Sequence, residues 1–136
     1  MLAALWGGFL LCVATTAAPI AFAVLERAQA GKYVGGLFEL DAQVSLAAGL
    51  LLVMMERRLQ RDQGGQVMSV GLLLPLLALF CTAAGFYGVQ PAMEAARVGQ
   101  GSLSFGALHA ISSGFFVIKL LAVLLLAWRA GGAPKA

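Results

Sequence analysis

Two sets of polar side chains interrupt otherwise apolar stretches of this chain. Glu39, Asp41, Gln43 and Ser45 follow one another in the first, and His109, Ser112, Ser113 and Lys119 fall in the second. Carboxylates and an ammonium held away from water can bind and exchange cations or protons. An imidazole titrates near neutral pH and can also ligate a metal. At 100° per residue, Glu39 and Gln43 share one helical face, and Asp41 and Ser45 share another. His109, Ser112, Ser113 and Phe116 form a face at i, i+3, i+4 and i+7, which is expected to point into a bundle, with Lys119 about 80° from His109.

Depth makes Lys119 the most demanding of these residues. It sits in a run from Phe115 to Leu124. If that run ends at an interface near Trp128–Arg129, Lys119 lies about 15 Å in. That is the middle of a ~30 Å hydrocarbon core. A lysine snorkels only the length of its own stem, so its amine needs a partner inside the protein. Measured from Glu56 along its own helix, Asp41 lies about 22 Å in and Ser45 about 16 Å. The charge-free stretch Ala42–Met55 covers only about 21 Å, so Asp41, with or without Glu39, either enters the membrane or sits at a locally thinned edge. An Asp41–Lys119 pair is geometrically possible and would neutralise both charges, but the sequence does not decide that it forms.

Composition sets the class. Of 136 residues, 61% are hydrophobic and 11% charged, where soluble domains carry about 25% charged. The expectation is an all-α, polytopic membrane four-helix bundle of one domain over 1–130, with a disordered tail over 131–136. The net charge of +3 reflects basic residues at segment ends, where topology uses them, and no basic stripe interleaved with aromatics points to nucleic acid. Cys12 and Cys81 share no short spacing and read as small buried hydrophobes. The charge-free run from Met1 to Leu25 is too long for a signal-peptide core and reads as an uncleaved first helix.

Four spans are expected: Ala3 to Leu25 (continuing as helix to Ala30, with Gly31 as the stop), Gly36 to Met55, Val67 to Gln90, and Phe105 to Trp128. Pro19, Pro75 and Pro91 each remove a backbone donor and are read as helix kinks. Thr15, four residues before Pro19, can help satisfy the disturbed turn. Small residues at four-residue spacing (Gly31/Gly35, Ser45/Gly49, Ala84/Gly88, Ala110/Gly114) allow close helix approach. The two halves share an outline of span, proline, charged turn, glycine and span, as two parallel two-helix repeats would.

Five Lys or Arg (Arg57, Arg58, Arg61, Arg129, Lys135) fall on the side of the termini, and three (Arg27, Lys32, Arg97) on the other. This bias favours both termini in the cytoplasm of a bacterial-type inner membrane. Trp6 and Trp128 would then share the cytoplasmic aromatic belt, with Tyr33 and Tyr87 toward the opposite one.

The pieces Pro19–Ile20–Ala21–Phe22, Ala30–Gly31, Phe38, Pro91 and Leu108–His109–Ala110–Ile111–Ser112 resemble a known family. It is the uncharacterised four-helix membrane domain related to transmembrane protein 205, domain of unknown function 4149. The resemblance implies a membrane bundle that handles metals or porphyrins, with Pro19, Phe22, Gly31, Pro91, His109 and Ser112 as motif positions. Lys119 is not part of that pattern.

No Walker loop, GxSxG, HExxH or GxGxxG occurs, so soluble-type enzyme chemistry has no footing and an enzyme is not the expectation. Three readings are open. The first is a small transporter, or an accessory to export of a metal or small solute, built on the buried polar centre. The second is a non-catalytic partner in the bilayer, as a homo-oligomer or bound to another membrane protein. The third is a haem- or porphyrin-linked redox protein, with His109 as the candidate ligand. No cofactor is firmly implied beyond that haem option.

Overall fold

The computed structural model describes residues 1–65 and 68–132. Among these, four helices are long and apolar enough to cross a membrane: α1 (Leu2–Val24), α2 (Arg27–Gln63), α3 (Val70–Arg97) and α4 (Phe105–Gly132). Their length and composition make the chain an integral membrane protein of all-α class. The helices close into a ring in which α1 and α3 each pack against both α2 and α4. The α2 and α4 helices therefore face each other across a diagonal. Met1, Glu56, Ser69 and Trp128 mark one end of the bundle, here the basal end; Arg27, Arg97 and Phe105 mark the distal end.

Several boundaries differ from those read in the sequence. The α1 helix stops at Val24, because Leu25 is extended at φ −108° and ψ 153°. A new helix starts at Arg27, so Gly31 lies inside α2 and not at a helix end. The 37 residues of α2 reach about 55 Å, well beyond a hydrocarbon core. It ends where Gly64 takes φ 62°, a left-handed conformation that glycine adopts without a Cβ penalty. The next helix begins at Val70, three residues later than expected, because the Ser69 hydroxyl accepts the Leu72 N–H at 3.1 Å and caps it. The expected start at Val67 lies outside the described residues. Gly131 and Gly132 belong to α4, and the rest of the expected tail, 133–136, lies outside the described residues.

Two of the three prolines read as kinks, Pro19 and Pro91, coincide with wide turns. Val13–Ala17 and Ala83–Gly88 are π-helical, and Pro19 and Pro91 follow within a few residues. A proline strips the donor from the carbonyl four residues back, and a wider turn re-registers the ladder around that gap. A threonine bonded back one turn lies within the first wide turn and immediately before the second. Thr15 Oγ1 donates to the Leu11 carbonyl at 2.7 Å, and Thr82 Oγ1 donates to the Ala78 carbonyl at 2.9 Å. The order of α-helix, wide turn and proline thus recurs in α1 and α3. Pro75 behaves differently, lying buried within the α-helical stretch Val70–Thr82 with no wide turn beside it.

The core is small and partly built on close backbone approach. Trp6, Leu10, Ala48, Ala78 and Val123 form its buried centre, with Leu52, Phe116 and Leu120 against it. A Cβ on Gly49 would lie 2.7 Å from Leu79, and one on Gly85 2.5 Å from Phe115. These contacts need glycine. Of the expected small-residue pair Ser45/Gly49, Gly49 therefore packs α2 on α3, while Ser45 meets Trp6 of α1 and Lys119 of α4. Gly31, Gly35 and Gly114 meet nothing within 4 Å and serve no such contact.

Candidate functional site

The long helices place four polar side chains at the centre of the bundle. Lys119 reaches from α4 across the diagonal, and its Nζ donates to Asp41 Oδ2 on α2 at 2.6 Å. Both side chains are 4% exposed. Ser45, one turn further along α2, donates from Oγ to Asp41 Oδ1 at 3.1 Å. The same oxygen accepts from Trp6 Nε1 of α1 at 3.1 Å and from Lys119 Nζ at 3.3 Å. Every hydrogen-bonding position of the Ser45 hydroxyl is thereby used. Phe116 closes one side, its ring centroid 4.9 Å from Lys119 Nζ and edge-on to Phe38.

The electrostatics follow from burial. A lone ammonium or carboxylate at this depth carries a desolvation cost of several kcal/mol. Together the pair is neutral, and no buried side-chain nitrogen or oxygen among the described residues lacks a partner. Such a centre is closed at rest. Exchange of one partner for a ligand of the same sign, a cation for Lys119 at Asp41 or an anion for Asp41 at Lys119, is one way to open it without leaving a net charge.

Of the candidate residues, Asp41, Ser45 and Lys119 meet in this network, and the others do not. Glu39 and Gln43 are exposed on the outside of α2, and His109 and Ser113 on the outside of α4. Ser112 is half-buried and donates to the Gly85 carbonyl in the wide turn of α3 at 2.8 Å. The bundle-facing side of α4 is centred on Leu108, Lys119, Ala122 and Val123, rotated from the expected face through His109. The physical reason is that α4 is apolar all round, so its lipid side and core side carry no contrast. Its scattered polar residues were read as the inner stripe.

Trp6 was missed. A tryptophan four residues from the start of a span reads as an interface anchor, yet Trp6 is 2% exposed and its indole N–H is given to Ser45. A signal was present, since Ala3, Trp6, Leu10 and Val13 recur at helical spacing and all are buried. Trp128 and Tyr33 are exposed within two turns of a helix end, where belt residues belong, and Tyr87 is exposed in the wide turn inside α3. Cys12 is exposed and Cys81 buried, so only the second packs in the interior.

His109 stacks on Phe105 with ring centroids 6.2 Å apart. Among the described residues, no group of three His, Cys, Asp or Glu side chains converges. An exposed imidazole without companion donors among the described residues does not fit a resident metal or haem.

Comparison with known proteins adds a family and little else. No curated protein and no solved structure matches the chain. A family model described as "Domain of unknown function (DUF4149)" matches residues 1–102. The matched span holds Trp6, Asp41 and Ser45 but ends before α4, which supplies Lys119. With three quarters of its length matched, the chain belongs to the DUF4149 family.

Proposed function

We propose that this chain is a small membrane transporter, or an accessory to export, for a metal ion or small cationic solute, and that Asp41 and Lys119 are its working centre. The reading rests on one observation: an ion pair 4% exposed, joining two helices that face each other across the bundle. Intramembrane ion pairs are costly to maintain and add little stability over well-packed apolar residues, which makes them candidates for solute or proton pathways. In this mechanism a cation reaching Asp41 displaces the Lys119 ammonium, whose stem swings toward Phe116. Ser45 and Trp6 hold the carboxylate in place during the exchange. The wide turns before Pro19 and Pro91 supply the flexible points at which α1 and α3 admit the solute. The excess of Lys and Arg at the basal end supports a cytoplasmic location for both termini. The likeness to transmembrane protein 205 supports metal handling as a resemblance only.

The test uses cells expressing the full chain, challenged with copper or zinc salts, and proteoliposomes loaded with a dye for the same ions. Asp41→Asn and Lys119→Met each abolish the wild-type difference from empty vector or empty vesicles, and the exchange Asp41→Lys with Lys119→Asp recovers part of it. If both single variants match wild type in protein level, tolerance and flux, the centre is not a transport site.

A second reading, a non-catalytic partner within the bilayer, is favoured by Gln43. It lies about 20 Å from Glu56 along α2 and is exposed on the outside of the bundle, where an amide in lipid gains from a partner helix. Purification in mild detergent separates the two: a co-purifying protein or stable oligomer lost in Gln43→Leu supports it, and a clean monomer opposes it.

A further inference from the structure

The three Lys and Arg residues of the distal end converge on one surface groove. Arg27 and Lys32 come from the first turns of α2 and Arg97 from the end of α3, with Ala28, Gly31 and Phe105 completing the lining. No carboxylate lines it. Among the described residues, Arg27 and Lys32 enter no salt bridge, and Arg97 meets only the exposed Glu94, at 3.6 Å. Topology does not explain this arrangement. On the orientation proposed above, the positive residues that set topology belong at the other end, where Arg57, Arg58 and Arg61 lie. Cations placed only for solubility would repel and spread; these gather from positions 27, 32 and 97.

Phe105 gives the groove a built floor. The Arg97 guanidinium lies 5.3 Å from its ring centroid, and the His109 imidazole stacks on the same ring. Arg97 is thereby oriented by a flat surface instead of trailing into solvent. Gly31 presents backbone to the groove, with nothing within 4 Å of where a Cβ would stand. The first turn of α2 contributes a positive field of the same sign. A planar guanidinium, a second arginine and a lysine around an open depression at a membrane edge match a phosphate group. Bidentate guanidinium contacts and a point ammonium charge are how such groups are held.

We propose that the groove bounded by Arg27, Lys32, Arg97 and Phe105 binds a phosphate-bearing anion, either the headgroup of an anionic lipid or free phosphate. This site is separate from the Asp41–Lys119 centre and does not depend on a transport role.

The experiment uses the full chain in bilayer discs. Native mass spectrometry counts phosphatidylglycerol retained from discs that also contain phosphatidylcholine, and titration calorimetry in pure phosphatidylcholine discs follows inorganic phosphate. Each cation neutralised is expected to weaken binding about fivefold. Arg27→Gln with Lys32→Gln and Arg97→Gln therefore removes the preference, and Lys32→Gln alone, a change at an exposed side chain that leaves folding intact, shows one such step. Arg57→Gln with Arg58→Gln and Arg61→Gln is the control and leaves this site unchanged. Retained phosphatidylglycerol that millimolar phosphate does not displace identifies the lipid headgroup; calorimetric phosphate binding lost in the distal variants identifies the free anion. Distal variants, Lys32→Gln included, that equal wild type in both readouts overturn the site.

Discussion

Ser45 and Ser69 make the same three hydrogen bonds in two very different places. Ser45 donates to Asp41 and accepts from Trp6 and Lys119. Ser69 donates to Glu56 Oε1 at 2.9 Å and accepts from Gln60 Nε2 at 2.6 Å and from the Leu72 N–H. Each serine organises a carboxylate, but the carboxylates are neutralised differently. Glu56 sits at the basal end against the start of α3, where a Cβ on Gly71 would fall 2.5 Å from its Oε1, and the positive field of the helix N-terminus lies beside it. Asp41 is 3% exposed, lies mid-helix, and is answered by a full positive charge. The basal cluster closes a local hairpin over sequence separations of 4, 9 and 13 residues. The central one joins residues 39, 74 and 78 apart. Depth sets the price of a carboxylate, and the length of the connection decides what the network fastens.

This contrast can be broken most severely at Asp41. Asp41→Ala leaves the Lys119 ammonium buried without its counter-charge and should cost about 3–5 kcal/mol, read as a loss of stability in denaturant titrations in mixed micelles. At the basal end the corresponding loss is smaller. Ser69→Ala removes the cap of α3 and should cost about 1 kcal/mol. If Ser69→Ala proves as damaging as Asp41→Ala, depth is not what separates the two clusters.

Trp6→Phe sharpens the central half of the comparison. It removes one donor to Ser45, whose other two bonds remain, and should cost about 0.5–1.5 kcal/mol. A cost near that of Asp41→Ala would make the indole, not the ion pair, the keystone. The smallest expected effect is that of salt. Raising ionic strength screens the Glu56 carboxylate but not a pair 4% exposed. The stability loss in Glu56→Gln should thus shrink by a few tenths of a kcal/mol in high salt, with that of Asp41→Ala unchanged.

What could be read in advance divides along the same line. Four spans follow from apolar runs alone, because nothing else hides that much apolar surface. Counting 1.5 Å per residue from the charged ends put Asp41, Ser45 and Lys119 near a common level, and those three touch. Rotation about the helix axis was not legible for α4. In lipid both faces are apolar, so periodicity cannot tell His109 on the outside from Lys119 on the inside. Trp6 was hidden for a related reason, since a tryptophan near a helix end suits an interface as well as a core. The start of α2 was obscured because Gly31 resembles a helix stop. What set that boundary was the extended backbone at Leu25, which no residue type there announces.

The central claim is that Asp41 and Lys119 stabilise the bundle only as a pair. A double-mutant cycle with Asp41→Leu and Lys119→Met, followed by reversible unfolding in mixed micelles, measures this directly. Each single change should cost about 3–5 kcal/mol while the double variant returns close to wild type. Additive losses, with the double variant as unstable as the two singles summed, would contradict the pairing.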